Sequence, residues 1–266
     1  MGFAISAALR SQSDFTIYRN AGLAALLRKP IYSLHDPSPF QYAPIYAVAF
    51  IPLALLPRLP AQLLWFAISM ALALPLMILG AGRLLFGRSI KLGWELIVIP
   101  LLLCFRFIHP NFDHGQINLL LLAMVVWGFA LANESRPVAG GGLLALSILA
   151  KPFAVPVILY LLAGKRLVCC VSLMIFVAAL ILLPCFIVGS GYTVHQTDGY
   201  LMSLTHRRLQ RSLDLENKYN QSSAAVATRW FLPRKANVAS VKAVASGGFV
   251  FQCVLTLGVV AWLVFR

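Results

Sequence analysis

The sequence predicts an all-α, polytopic membrane protein with about seven transmembrane helices and short juxtamembrane helices in the connecting loops. Three observations predict it. Hydrophobic residues make up 60% of the 266-residue chain and charged residues 11%, with a mean hydropathy of +0.84. A soluble domain carries roughly 25% charged residues, so this chain cannot cover a water-facing surface and its solvent is lipid. The apolar residues also fall in runs near the ~20 residues that a helix needs to cross a bilayer. Backbone exposed to lipid must be hydrogen-bonded internally, and runs of this length are helices and not barrel strands.

Taken in order, residues 1–9 are apolar but too short to span. Residues 10–42 form a first aqueous stretch with a short helix from Phe15 to Leu27. The run 43–56 is short and rich in proline, and 61–82 is long enough to cross. The runs 93–107 and 117–132 are marginal in length. The run 138–163 is long but interrupted at Lys151-Pro152, where proline breaks the helical ladder. The run 167–188 is a full span, and 245–265 is the last. With no internal repeat, residues 1–266 read as a single integral-membrane domain.

If residues 10–42 lie outside, simple alternation puts 83–92 outside, 108–116 inside, 133–137 outside, 164–166 inside and 192–244 outside. Lys165-Arg166 inside obeys the positive-inside rule, whereas Arg83, Arg88 and Lys91 outside do not. The net charge of +14 does not point to nucleic acid, because the basic residues are scattered between apolar runs. Anionic headgroups and phosphate-bearing substrates explain them better. The five cysteines, Cys104, Cys169, Cys170, Cys185 and Cys253, all lie in apolar runs without C-x-x-C spacing. They read as small hydrophobes.

The stretch 13–57 is the most informative. It carries D-F-x-x-Y-x-x-A-G from Asp14 to Gly22, P-I-Y at Pro30 to Tyr32, P-F-x-Y-x-P from Pro39 to Pro44, and F-x-P-L-A-L-L-P from Phe50 to Pro57. Later come G-Q-I-N at Gly115 to Asn118, the Lys151-Pro152 break, and Asn220-Gln221-Ser222 followed by Arg229. This ordered set resembles family 87 glycosyltransferases, membrane enzymes of the GT-C class that depend on polyprenyl phosphate sugars. The resemblance implies a GT-C-like fold and transfer of a hexose, mannose by type, from a polyprenyl phosphate sugar to a lipid or glycan acceptor. It further implies inversion at the anomeric carbon, and a multi-pass protein of the bacterial plasma membrane with its site on the outer face. The first loop, 10–42, and the late loop, 192–244, would then share that face. The family carries a spanning helix just ahead of D-F-x-x-Y, so the chain is expected to be shortened at one or both ends. It usually shows Asn where His114 stands here.

Asp14 matches the carboxylate that the family uses as general base, the group that takes the acceptor's proton as the lipid phosphate leaves. As a plain residue it can equally begin the helix that follows. The alternative acid, Asp36 in His35-Asp36-Pro37, reads as a turn. Lys151 is an ionisable group inside an apolar run, which suggests either a phosphate contact or a side chain snorkelling to the interface. Arg207 and Arg208, beside His206 and Arg211, are candidate phosphate contacts or headgroup contacts. Gln116 opens a span and is either an interhelical hydrogen-bonding amide or a substrate contact. Asn220 and Gln221 are candidates through the N-Q-S match. His109 and His114 with Asp113 do not make three converging ligands, so no metal and no cofactor is expected. Nothing resembles a P-loop, an H-E-x-x-H motif or a dinucleotide fingerprint, which fits a lipid-linked donor. The rival readings are a lipid or solute transporter, which would need a second broken helix in its other half, and an inactive glycosyltransferase fragment.

Overall fold

The computed structural model describes residues 13–33, 39–87, 93–151 and 154–213, with short pieces between 226 and 261. Every regular element among the described residues is a helix. The chain divides into two compact units, one of residues 1–153 and 166–200, the other of residues 154–165 and 201–266. The first unit holds α1 (Ser13–Leu26), α2 (Pro44–Ala49), α3 (Ile51–Leu55), α4 (Arg58–Ala67), a π-helical stretch (Ile68–Ala73) and α5 (Leu74–Phe86). It continues with α6 (Trp94–Asp113), α7 (Asn118–Asn133), α8 (Pro137–Ala150) and α10 (Leu167–Val188). The second unit contains α9 (Ala154–Ala163). Helix α11 (Ser190–Leu213) begins in the first unit and passes into the second after Tyr200.

Two described helices are long and apolar enough to cross a bilayer, the continuous Arg58–Phe86 helix and Leu167–Val188. The second has the bounds expected from sequence. The first extends the expected 61–82 at both ends and passes through the π-helical stretch. Helices α7 and α8 are apolar but shorter. Helix α6 runs past the expected 93–107 to Asp113, with Pro100 and Pro110 inside it. On α10, Phe186 is 86% exposed while Cys169 and Leu173 are buried; so bare an apolar face suits lipid and not water.

The run 43–56, expected as a span, folds instead as two helices of six and five residues. Pro44 opens α2 and Pro52 lies in the first turn of α3. Proline is at home in a first turn, but Pro52 has no N–H with which to continue the ladder of α2. The stretch turns back beside α1. Arg19 Nη2 donates to the Leu56 carbonyl at 2.9 Å, and a Cβ on Gly22 would stand 2.8 Å from the Phe50 carbonyl carbon and oxygen. Glycine at 22 is what lets α1 lie against this kink.

The remaining helices pack in the order α5, α7, α8, α10. Their pairings show direction. Trp65 Nε1 donates to the Gly115 carbonyl at 2.8 Å, and Trp127 Nε1 donates to the Leu76 carbonyl at 2.8 Å. Arg83 Nη2 reaches Glu134 Oε2 at 2.7 Å, so the long helix runs parallel to α7. Helix α8 runs back against α7, with Gly140 facing Gly128 and Ala132. Arg166 at the start of α10 donates to the Ala132 carbonyl at 2.7 Å, and Ser172 to Val138 at 2.8 Å, so α10 runs parallel to α8.

The first unit therefore has two poles. Arg83, Glu134 and Arg166 lie at one, with the Arg83 guanidinium 5.3 Å from the centroid of the Trp127 ring. Asp14, the 114–118 connection and the end of α8 lie at the other. The Asp14 N–H donates to the His114 carbonyl at 3.1 Å, so residues 10–42 and 108–116 cannot face opposite sides as simple alternation has it. The error has two sources. The run 43–56 turns back instead of crossing, and 138–163 breaks at Lys151, with the chain back at the Arg83 pole by Arg166. Cys169 is buried as a small hydrophobe, but Cys104 is exposed on α6.

Candidate active site at the Asp14 pole

Five residues, 114–118, organise this pole. Gly115 has φ of 64°, and the turn is closed by Gln116 N–H to the Asn111 carbonyl at 2.7 Å. The His114 carbonyl accepts the Asp14 N–H, one of the donors that the first turn of a helix cannot satisfy internally. Asp14 thus sits in the first turn of α1, where a carboxylate complements the positive end of the helix dipole. It is half-buried.

Tyr18, one turn on from Asp14, is 3% exposed. Its hydroxyl is 3.0 Å from that of Tyr42 and is bonded to the Ile117 backbone. Burial pushes the Tyr18 hydroxyl above its ordinary range, with Tyr42 and the Asp14 carboxylate adding to the shift. Burial does the same at Tyr42, and Asp14 adds to it there too. The carboxylate is therefore within electrostatic reach of both phenols. Around them Phe15, Phe50 and Trp65 close an aromatic nest, with Tyr18 to Phe50 at 5.0 Å and Phe50 to Trp65 at 5.0 Å between centroids. These rings fill the space behind Asp14 and hold α1 at a fixed depth. They pack on one another, which is the role of most of the interfacial aromatics in 13–57.

The cationic side of the pole comes from α8. The helix stops at Ala150, and Lys151 is extended at φ −136° and ψ 124°. The expected break is real, and it puts the half-buried Lys151 at a helix end and not in the middle of a span. Lys151 Nζ donates to Asn118 Oδ1 at 2.5 Å, and Asn118 Nδ2 donates to Gln116 Oε1 at 2.7 Å. The connection that receives Asp14 through its backbone thus receives Lys151 through its side chains.

Helix α11 closes the pole. Tyr192 donates to the Lys29 carbonyl at 2.7 Å, and Gln196 Oε1 accepts from the Ile31 N–H at 2.9 Å. Tyr32 donates to the Tyr42 carbonyl at 2.6 Å and lies 5.8 Å from the Tyr200 ring. Burial pushes the Tyr192 hydroxyl up to about 12. The start of the late loop is thus helical and grips the first loop.

Of the residues singled out from sequence, Asp14, Gln116 and Lys151 come together here. Arg207 and Arg208 lie on the helical backbone of α11, but their side chains are outside the described residues, as are Asp36, Asn220 and Gln221 altogether. Sequence reasoning missed the Tyr18–Tyr42 pair and the α11 clasp, but its interhelical amides in G-Q-I-N are seen at Asn118. The signal for the clasp was the stripe Tyr192, Gln196, Tyr200 at four-residue spacing.

A carboxylate and an ammonium on one connection can respectively take a proton and hold an anion. A polyprenol-phosphate-mannose-dependent alpha-(1-2)-phosphatidylinositol pentamannoside mannosyltransferase of Mycobacterium tuberculosis is 35% identical over 100 residues. That match covers 34% of this chain and 21% of the relative. No solved structure matches. The description of glycosyltransferase family 87 matches residues 40–266, which takes in Gln116, Asn118 and Lys151 and begins after Asp14. The chain belongs to glycosyltransferase family 87.

Proposed function

We propose that this chain carries the site of a membrane glycosyltransferase that moves a hexose, mannose by analogy with the Mycobacterium tuberculosis relative, from a polyprenyl phosphate to a lipid or glycan acceptor. The observation that carries the proposal is the meeting of three separate segments. The D-F-x-x-Y helix, the G-Q-I-N connection and the Lys151 break converge at one pole of the first unit. Asp14 acts as general base on the acceptor hydroxyl. As the oxygen attacks the anomeric carbon from the face opposite the phosphate, the C–O bond to the phosphate breaks and the configuration inverts. The phosphate leaves with the bonding pair, and Lys151 offsets the negative charge that develops on it. Gln116 holds the cationic side in place. Arg207, Arg208, Asn220 and Gln221 are further contacts to donor or acceptor.

We place the Asp14 pole on the outer face of a bacterial plasma membrane. Arg83, Arg136, Lys165 and Arg166 then belong to short inner connections, as do Arg88 and Lys91 in sequence, while Arg10, Arg19, Arg28, Lys29 and the basic residues of 192–244 lie outside, where they meet headgroups or phosphate. The turn-back at 43–56 and the break at Lys151 leave crossings of the first unit at 58–86, 94–113, 118–133, 137–150 and 167–188. The 245–265 run is a further crossing by its sequence, and the whole is read as one integral-membrane domain.

The test is Asp14→Asn, with transfer from radiolabelled polyprenyl phosphate hexose measured in membranes. Turnover falls by about a hundredfold or more if the carboxylate takes the proton, while donor binding holds. Unchanged turnover removes Asp14 from the mechanism.

A further inference from the structure

We infer that Tyr32 is the platform on which the transferred hexose rests, with the C–H side of the sugar packed on the phenol ring. The inference rests on the function proposed above and extends it to a residue not assigned there.

Tyr32 differs from its aromatic neighbours in what it shows to the outside. Every other aromatic residue of 13–57 is 8% exposed or less, and those rings are used up in packing on one another. Tyr32 is only partly buried. It is nevertheless firmly held. Its hydroxyl donates to the Tyr42 carbonyl at 2.6 Å. Its ring centroid lies 6.0 Å from that of Phe40 and 5.8 Å from that of Tyr200. Gly199 brings the backbone of α11 against the ring, where a Cβ would stand 3.4 Å from Tyr32 Cδ2. The chain just ahead is tied as well, with the Ile31 N–H on Gln196 Oε1 at 2.9 Å and Tyr192 on the Lys29 carbonyl at 2.7 Å. A ring fixed by folding meets a ligand with little further loss of freedom.

Its place in the first unit fits the sugar. On one side Tyr42 carries the contact to the Tyr18 hydroxyl at 3.0 Å, one turn from Asp14. On the other, the Tyr200 hydroxyl donates to the Leu149 carbonyl at 3.5 Å, two residues before Lys151. In the proposed reaction the hexose is the group that lies between the base and the phosphate. The chemistry of the ring selects the same group. Its faces carry the negative end of the aromatic quadrupole. One side of a hexose presents C–H bonds polarised by the neighbouring oxygens, and such bonds pack on a negative face. A phosphate gains nothing there, so the contact recognises the sugar and not the anion.

The experiment compares wild type, Tyr32→Phe and Tyr32→Leu, each as the whole chain in nanodiscs. Binding of polyprenyl phosphate hexose and of polyprenyl phosphate without sugar is measured, with melting temperature alongside. Wild type should bind the hexose-bearing lipid more tightly than the bare one. Tyr32→Leu should lose about three- to tenfold of that preference, the scale of one ring contact, with affinity for the bare lipid unchanged. Tyr32→Phe keeps the ring and should keep the preference, while melting lower because the Tyr42 carbonyl loses its donor. Should Tyr32→Leu melt too low to assay, 3-fluorotyrosine in place of Tyr32 decides. Its fluorine resonance should move with the hexose-bearing lipid and stay put with the bare one.

An undiminished preference in Tyr32→Leu overturns the inference. So does an equal loss for both lipids, the mark of a structural role, or a fluorine resonance that answers both lipids alike. Each of these leaves the proposed function standing if wild-type membranes still transfer hexose. If they transfer none, the proposed function fails and the platform falls with it.

Discussion

A phenol buried beside a carboxylate has one stable charge state, and Tyr18 shows what that does. Its hydroxyl meets Tyr42 and the Ile117 backbone, so it ties α1, the 40–44 segment and the G-Q-I-N connection together. Tyr18→Phe removes one partner from each and leaves buried polar groups unmatched, at a cost of about 1–3 kcal/mol read as a lower melting temperature. The pH dependence has a definite sign. Burial raises the Tyr18 pKa above its model-compound value of 10.0. Below pH 10 the phenol is protonated folded or unfolded, and its contribution is fully present. Above pH 10 the unfolded chain releases the proton while the folded chain keeps it, so stability falls as pH rises. The wild-type melting temperature should drop above pH 10 more steeply than that of Tyr18→Phe; parallel curves would mean that the hydroxyl is not in this environment. Lys151 was legible in the sequence because an ionisable group amid apolar neighbours stands out, and Asp14 only through its place in D-F-x-x-Y. Tyr18 was not, because a tyrosine near a membrane surface has a plain structural reading. Only the fold shows what it meets.

Among elements, α8 is the one that the others are built on, and its triple glycine sets the spacing. A Cβ on Gly141 would stand 2.7 Å from the Cys169 carbonyl oxygen and the Leu173 nitrogen, both backbone atoms of α10. Relief requires the helix itself to move. A Cβ on Gly142 would meet only the Phe176 ring, at 3.3 Å, and a side chain can turn aside. Gly141→Ala should therefore destabilise by about 1–3 kcal/mol. Gly142→Ala should lie near neutral, because the gain in helix propensity of up to ~1 kcal/mol offsets the small displacement. Thermal unfolding in one detergent decides it, and equal losses would argue against the close α8–α10 crossing. The same physics explains which spans could be read. Residues 167–188 are flanked by Arg166 and Gly189 and carry one late proline, so the length of the run gave its bounds. Residues 43–56 are as apolar, but Pro44, Pro52 and Pro57 remove N–H groups at intervals too short for a continuous helix. Hydropathy alone does not see that.

For the molecule as a whole, one non-crossing stretch and one break change which side every later connection lies on. Counting runs put Arg83 and Arg166 on opposite sides; following the hydrogen bonds puts both at one pole. Arg83 and Arg166 gather at one pole, while Asp14, Lys29 and Lys151 lie at the other. Orientation can be tested without activity. Cys104, Cys169, Cys170, Cys185 and Cys253 are first replaced by alanine or serine. A single cysteine is then placed at Lys29, exposed at the Asp14 pole, or at Asn133, exposed at the end of α7. With a membrane-impermeant thiol reagent on intact bacteria, Lys29→Cys should label at once and Asn133→Cys only after the membrane is opened. Similar labelling of both would mean that the poles do not lie across the bilayer. Reversed labelling would put Asp14 in the cytoplasm, on the wrong side for an acceptor that waits outside, and the proposed chemistry would fall with it.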